Sequence, residues 1–221
     1  MDAVLAGIGP HNKVFAELDL VDVYTQCAVD EQTSRLLTVN TPRGLFRVTT
    51  LPFGIKCVSA AFQRVVDAVV GGLEGVVSYQ DNIFIAAPDS DTLRKRLYRT
   101  LQALSDAGLR VNRDKCTWET TSLEVLGFRV DASGVHPLPE RVRAIREAPA
   151  PTCIKELQQL LGLINFYARF LRSKAAILEP LHRLLDAGAK WKWTNEHQRA
   201  LDTVKDMLSS DQISLAAAPF R

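Results

Sequence analysis

The chain has 221 residues, of which 47% are hydrophobic, and 27 Lys and Arg residues nearly balance 25 Asp and Glu residues. This composition excludes a chain too polar to bury a core, and the length suits one large domain or two small ones. The net charge of only +2 excludes an overall basic field, so any affinity for nucleic acid must come from local clusters.

Cysteine placement and hydropathy argue against further classes of protein. The four cysteines are scattered, without CxxC pairs or histidines at zinc-ligand spacing, which argues against a structural metal or a disulfide framework. No signal segment opens the chain, and no apolar run approaches the roughly 20 residues that span a bilayer. We therefore expect a soluble intracellular protein with reduced thiols.

The first predicted strand contains an acid. Residues 14–26 read VFAELDLVDVYTQ and have the β-branched and aromatic content of a strand. Asp19 lies between Leu18 and Leu20 and so interrupts the apolar stretch. The polar segment at residues 30–52 is rich in turn residues and is expected to join short strands.

Two amphipathic helices flank a predicted hairpin. Ser59 could cap the first helix, whose apolar residues recur at helical spacing until Gly71. Residues 76–87 (VVSYQDNIFIAA) predict two strands that meet at a polar tip, and the second, leucine-striped helix stops at Gly108. With a further strand pair from Leu123, this order predicts an α+β fold of the split β-α-β type, an antiparallel sheet with helices on one face.

The remainder of the chain is predominantly helical. We place a domain boundary near Gly134, after which Pro139 suits the first turn of a helix. Thr152 could cap a long helix, and the final helix follows Thr194.

Two acids are candidates for a metal site. In a split β-α-β module the first strand lies beside the hairpin, so Asp19 and Asp81 could project to the same face. Two close carboxylates are costly unless a divalent cation joins them, and Mg²⁺ uses one or two carboxylates together with substrate phosphates. Such a site suits two-metal phosphoryl transfer. Alternatively, Asp19 hydrogen-bonds a neighbouring loop and Asp81 is an ordinary turn residue.

Six blocks of the chain occur in the order seen in reverse transcriptases of gypsy-type long-terminal-repeat retrotransposons. They are LDLVDVYTQ, LPFGIKCVSAAFQRVVD, VVSYQDNIFIA, AGLRVNRDKC, LEVLGFRV and ELQQLLGLINFYARFL. The chain thus resembles this family over nearly its whole length. The resemblance implies a palm with partial fingers at residues 1–136, with the fingers-like insertion at 30–55. It also implies a helical thumb at 137–186 and a connection segment at 187–221 that leads toward an absent ribonuclease H domain.

The resemblance implies a catalytic centre at the hairpin. Asp19, the Leu20 carbonyl, Asp81 and Asn82 match positions that bind Mg²⁺ or Mn²⁺. Lys115 matches a lysine near the triphosphate that could protonate pyrophosphate, although a solvated lysine is the alternative.

The resemblance also implies contacts to substrates. The positions matched to the incoming nucleotide are Asp22, Val23, Tyr24, Phe53 and Gly54. Tyr24 matches the aromatic residue that excludes a 2′-hydroxyl by steric clash, the alternative being a core tyrosine. The positions matched to primer and template are Gln63, Tyr79, Leu126, Gly127, Phe128, Arg169, Arg172 and Lys174.

Several positions depart from the family pattern. The YxDD box ends in a second aspartate, where this chain has Asn82; an amide can donate a lone pair to a metal but brings no charge. Ser59 stands where the family has proline, Cys57 where it has asparagine, and Val23 where it has a small residue. The family's upstream fingers segment is expected to be missing from this chain.

The resemblance implies an RNA-directed DNA polymerase that binds an RNA/DNA primer-template and deoxynucleoside triphosphates. Its expected location is cytoplasmic, in virus-like particles, or nuclear, and its expected protein partners are a second copy or the remaining polyprotein domains. Asn82 and the missing fingers keep a non-catalytic nucleic-acid-binding module as an alternative. A scaffold that pairs through its leucine-rich thumb helix is a third interpretation.

Overall fold

The computed structural model describes residues 2–8, 11–167, 174–186 and 188–209. Its helices are α1 (Asp2–Ile8), α2 (Glu31–Leu36), α3 (Val58–Val70), α4 (Ser90–Asp106), α5 (Pro139–Glu147), α6 (Ile154–Phe166), α7 (Lys174–Arg183) and α8 (Asn195–Ser209). Its strands are β1 (Val14–Asp19), β2 (Val39–Thr41), β3 (Gly44–Phe46), β4 (Val76–Tyr79), β5 (Asn82–Ala87), β6 (Thr117–Thr120), β7 (Ser122–Val125), β8 (Phe128–Asp131) and β9 (Gly134–Pro137). The chain forms two compact units, within Met1–Leu123 and within Glu124–Ala218.

The first unit is built on a four-stranded antiparallel sheet with the order β4-β5-β1-β6. Helices α3 and α4 pack on one face, where Leu18, Ile83 and Leu93 are fully buried in a shared core. The predicted α+β class and antiparallel sheet are therefore confirmed. The alternation of side chains along β1 leaves Asp19 on the opposite face from Leu18.

Helix α1 corrects the expectation that all helices lie on one face of this sheet. It packs against β4 and β5, and a methyl group at Gly7 would overlap the side chain of Val77. Val77 is the cross-strand partner of Phe84, so both lie on the face opposite the core of α3 and α4. Phe15 and Phe84 are buried on that face, and such apolar side chains favour a cover.

The predicted strand at residues 14–26 is shorter than expected. Strand β1 ends at Asp19, and Asp22 adopts a left-handed conformation (φ 39°) before a 3₁₀ turn at Val23–Gln26. Aspartate tolerates this conformation better than most residues, which explains a turn within a sequence of strand-like composition. In α3, Cys57 occupies the N-cap and Ser59 lies in the first turn, so the expected cap at Ser59 is wrong by two residues.

The second unit contains strands β8 and β9, the end of β7 and helices α5 to α8, and β7, β8 and β9 form one sheet in that order. Leu126 and Gly127 both have positive φ (52° and 85°), the pattern of a type I′ turn, and join β7 to β8. This unit begins at Glu124, before the expected boundary near Gly134, because β8 and β9 on either side of that boundary pair with each other. Helix α8 packs against both α5 and α7.

Helix starts in the second unit follow the sequence signals closely. Pro139 occupies the first turn of α5, as predicted. Cys153 rather than Thr152 is the N-cap of α6, while the Glu156 carboxylate accepts hydrogen bonds from the Thr152 backbone N–H and hydroxyl. The expected cap at Thr152 is therefore wrong by one residue, and Glu156 in the first helical turn instead holds the residue that precedes the N-cap.

Over the residues that the structure describes, no helix combines the length and apolarity needed to cross a bilayer. All four cysteines are free thiols.

Candidate active site

The predicted hairpin at residues 76–87 is formed, and it presents Asp81 at its tip. Tyr79 and Asn82 are cross-strand partners, so Gln80 and Asp81 form a two-residue turn. Gln80 has a positive φ of 55°, the pattern of a type II′ turn, whose first central residue is usually glycine. A residue with a Cβ is strained there by about 1 kcal/mol or more. Asp81 is exposed and Asn82 is half-buried.

A polar network ties this turn to α3. The Gln63 side-chain oxygen accepts a hydrogen bond from the backbone N–H of Gln80 at 2.7 Å. The Gln63 amide nitrogen donates to the Ser78 hydroxyl at 2.9 Å and to the Asp67 carboxylate at 2.8 Å, and Ser78 in turn donates to Asp67. Gln63, matched by resemblance to template contact, thus uses its polar atoms to hold the strained turn.

Asp19 and Asn82 face each other across β1 and β5. They are direct cross-strand partners in an antiparallel pair, so their side chains lie on the same face of the sheet. The Asp19 carbonyl accepts from the backbone N–H of Asn112 at 2.7 Å, so its peptide groups point away from Asn82. Non-hydrogen-bonded pairs of this kind bring side chains closest, with Cα atoms about 4.5 Å apart.

Leu20 connects the end of β1 to the hairpin tip. Its backbone N–H donates to the Asp81 carbonyl at 2.8 Å. The N–H and C=O of a residue in an extended strand point to the same side, which directs the Leu20 carbonyl toward the hairpin. Leu20 itself is buried, so its side chain is not available to a ligand.

Glu17 adds a carboxylate that the sequence analysis missed. Burial raises the pKa of Glu17, and the negative charges of Asp19 and Asp81 raise it further. Both aspartates therefore lie near Glu17, and the end of β1 has a negative potential. Because side chains alternate along a strand, the spacing of Glu17 and Asp19 could have shown that they share a face.

The donor chemistry of this site fits a hard divalent cation. Within the described ranges, no group of three or more His, Cys, Asp and Glu side chains is placed to hold a metal ion. The predicted oxygen donors of Asp19, Leu20, Asp81 and Asn82 include only two carboxylates. Mg²⁺ binds in this way when substrate phosphates and water complete its coordination.

Lys115 lies beside Asp19. Its ammonium nitrogen is 3.9 Å from Asp19 Oδ1, and the lysine side chain is 67% exposed while that of Asp19 is 21% exposed. The loop that carries Lys115 is held to the 3₁₀ turn after β1, because Gln26 accepts from the backbone N–H of Arg110 at 2.7 Å. The position leaves the lysine near the acids and accessible to an anionic substrate.

Tyr24 and Phe53, two of the residues matched to nucleotide binding, are in contact. Their rings meet edge to face at 5.2 Å, and Tyr24 also contacts the buried Phe62 ring at 5.9 Å. Phe53 is 66% exposed and Gly54 has a φ of 88°, so this turn is open to solvent. Tyr24 is half-buried: one edge of its ring packs on the core and the rest is accessible. The position is therefore compatible with a core tyrosine and with a residue that contacts a nucleotide.

Two other residues matched to the nucleotide are placed differently. Asp22 is exposed in the turn after β1. Val23 is only 9% exposed and joins the core, so its side chain is not available to a nucleotide. The valine that replaces a small residue therefore fills the interior.

The residues matched to primer binding lie mainly in the second unit. Leu126 and Gly127 form the β7-β8 turn, but Phe128 is fully buried and stacks on Phe166 at 5.0 Å. The Phe128 ring therefore forms the core under the turn, and the match of this turn to a primer contact stays a prediction. Tyr167 donates to the Gly127 carbonyl at 3.3 Å and fixes the turn from below.

Four further residues matched to primer and template complete the set. Tyr79 is half-buried on β4 opposite Asn82. Lys174 is exposed at the start of α7, whereas Arg169 and Arg172 lie outside the described residues.

The sequence is similar to a known protein family and to polyproteins of known retrotransposons. The family model described as reverse transcriptase (RNA-dependent DNA polymerase) matches residues 5–130. The chain is 29% identical over 202 residues to the transposon Tf2-7 polyprotein of Schizosaccharomyces pombe, covering 90% of this chain and 15% of the polyprotein. It is 37% identical over 186 residues to the retrovirus-related Pol polyprotein from transposon opus of Drosophila melanogaster, covering 83% of this chain and 18% of that protein.

A solved structure shows the same fold. The protein is a foamy viral protease-reverse transcriptase in complex with an RNA/DNA hybrid, with a TM-score of 0.76 and 25% identity. The similarity covers 94% of this chain and 28% of the viral chain. The chain therefore spans less than a third of the length of each of these three proteins.

Proposed function

The chain belongs to the reverse transcriptase family, and we propose that it extends a DNA primer on an RNA template as the polymerase core of a retrotransposon polyprotein. The observation that carries this proposal is the register that sets Asp19 opposite Asn82, with the Leu20 N–H bonded to the Asp81 carbonyl at the hairpin tip. The complex of the viral relative with an RNA/DNA hybrid supports this class of substrate.

The residues at the hairpin would hold Mg²⁺ or Mn²⁺. Asp19, Asp81, Asn82 and the Leu20 carbonyl supply hard oxygen donors, and the half-buried Glu17 adds negative potential. When bound, the cations supply activation of the primer 3′-hydroxyl and neutralisation of charge on the reacting phosphate.

Protein groups around the acids would position the substrates. Lys115, 3.9 Å from Asp19, would bind the triphosphate and donate a proton to pyrophosphate as it leaves. Gln63 holds the Gln80 turn and thereby fixes Asp81. Tyr24 and Phe53 form the surface against which the sugar of a deoxynucleotide would pack.

Asn82 favours a second candidate function, a module that binds primer-template without extending it. Compared with the aspartate of the YxDD box, the Asn82 amide leaves one negative charge fewer on the face that carries Asp19. The attraction of this face for a cation is therefore weaker. In either case the proposed protein partners are a second copy or other polyprotein domains, and the proposed setting is intracellular, in cytoplasmic particles or the nucleus.

Primer extension on an RNA template separates the two functions. We expect native protein to extend the primer in Mg²⁺ or Mn²⁺ and Asp19→Asn to lose extension in both. Asp106→Asn at the exposed end of α4 is the matched control and should extend as native does. Primer-template binding without extension by native protein would refute polymerisation and favour the binding module. An Asp19→Asn variant as active as native would refute the assigned site.

A further inference from the structure

Tyr24 and Ser59 form a hydrogen bond between two segments 35 residues apart. The phenol oxygen of Tyr24 lies 2.8 Å from the hydroxyl oxygen of Ser59. Tyr24 is on the 3₁₀ turn that follows Asp19, and Ser59 is in the first turn of α3. The bond therefore links the segment after the catalytic acid to the helix that carries Gln63.

The helix cap does not explain Ser59. The N-cap of α3 is Cys57, and the helix start has no side-chain capping hydrogen bond. Ser59 is exposed, so its side chain is not needed to fill the core. Its hydroxyl is instead directed to Tyr24.

The Tyr24 ring is held from three directions. Phe62 lies three residues after Ser59, so both side chains lie on the same face of α3. Phe62 is 1% exposed and contacts one edge of the ring, Phe53 contacts the ring at 5.2 Å, and Ser59 holds the hydroxyl. With the two rings alone, the phenol could tilt about its buried edge; the hydrogen bond opposes that tilt.

On the basis of the proposed function, we propose that Ser59 is a positioning residue for substrate specificity. It fixes the Tyr24 ring so that the ring rejects nucleotides with a 2′-hydroxyl. An aromatic ring excludes one extra oxygen only if it cannot move aside, because a mobile ring relieves the clash at little cost.

Four variants test the restraint. Ser59→Ala removes one partner of the hydrogen bond, Tyr24→Phe removes the other, the double variant removes both, and Ser59→Thr keeps a hydroxyl. Ser105→Ala, at the exposed end of α4, is the matched control. The measurement is the ratio of kcat/KM for a deoxynucleotide to that for the matching ribonucleotide during primer extension.

Loss of the hydrogen bond should lower that ratio. We expect Ser59→Ala and Tyr24→Phe each to lower it by about two- to tenfold, the range for one neutral hydrogen bond. The double variant should lower it no further than either single change, whereas Ser59→Thr and the control should match the native ratio. An unchanged ratio in Ser59→Ala, or an equal Ser59→Ala effect in the Tyr24→Phe background, would overturn the proposal.

Equilibrium binding measures the same nucleotide selectivity without the primer-extension reaction. With a dideoxy-terminated primer, binding of a deoxynucleotide and of its ribonucleotide counterpart can be compared for the same variants. Native protein that binds selectively but never extends would refute the proposed function, and the Ser59→Ala binding ratio would still decide the role of Ser59. Absence of nucleotide binding by native protein would overturn both.

Discussion

Asn82→Asp tests the electrostatics of the hairpin directly. The substitution places a second carboxylate opposite Asp19, on a face that already holds Glu17. In the absence of metal the new charge should repel its neighbours and destabilise the protein. In the presence of Mg²⁺ it should become a further ligand, strengthen metal binding and raise primer extension.

The size of the repulsion follows from the strand register. Directly opposed residues have Cβ atoms about 4.5–5.5 Å apart. Two unit charges at about 5 Å interact by about 3 kcal/mol at the effective dielectric of a protein surface and by about 0.8 kcal/mol in bulk water. Because the Asp19 side chain is only 21% exposed, we expect a loss of about 1–3 kcal/mol in the free energy of unfolding without metal.

Urea unfolding with EDTA and with Mg²⁺, together with primer extension, provides the assay. Asn40→Asp on the exposed strand β2 is the matched control and should change stability little. Mn²⁺ binds such ligands more tightly than Mg²⁺, so the charge missing at Asn82 matters less when Mn²⁺ is the metal. The gain in extension from Asn82→Asp should therefore be larger in Mg²⁺ than in Mn²⁺. Equal stability of native and Asn82→Asp in EDTA would refute the inferred proximity to Asp19. Unchanged extension in Mg²⁺ would show that the amide is an adequate ligand.

Three further predictions concern other parts of the chain. Gln63→Leu removes one hydrogen-bond partner from the Gln80 N–H and one from the buried Ser78 hydroxyl. Urea titrations should therefore show a free energy of unfolding lower by about 1–3 kcal/mol. A loss below about 0.5 kcal/mol would contradict the network. Glu17 has a folded-state pKa above its ordinary 4.5, so the native state holds this proton more tightly than the unfolded chain and loses stability as pH rises above about 4.5. Glu17→Gln should therefore be more stable than native at pH 7, with the difference closing toward pH 4 in urea titrations; a difference independent of pH would contradict the assignment. A triple alanine variant of Arg169, Arg172 and Lys174 should bind primer-template more weakly, to the same degree for all sequences. The slope of its log binding constant against log salt concentration should flatten by roughly one unit per lost contact. An unchanged slope would show that these residues do not contact the nucleic acid.

Local patterns in the sequence identified most elements of the fold. The leucine stripe of α4, the proline in the first turn of α5 and the two apolar runs of the β4-β5 hairpin each act over a few residues. Their physical causes are side-chain periodicity, the fixed φ of proline and the preference of polar residues for turns, and all can be read along the chain. The resemblance of ordered blocks added the family.

Local sequence patterns were less reliable where the same residues could form either a strand or a turn. The stretch after Asp19 has strand composition, yet Asp22 turns left-handed and the chain forms a 3₁₀ turn. A distant residue holds that turn: the Arg110 backbone N–H donates a hydrogen bond to the side-chain oxygen of Gln26 at the end of the turn. A composition window cannot contain such a partner, which explains the overlong strand prediction.

The sequence by itself determined which residues carry charge, hydroxyl and amide groups near the hairpin. Only the tertiary structure decided that Asp19 faces Asn82, that Gln63 holds Gln80 and that Ser59 holds Tyr24. The reason is that strand register and helix docking are set by the whole core, and a shift of one residue would turn every side chain of a strand to the other face. Contacts across 17 and 35 residues follow from that packing, and no local propensity encodes them.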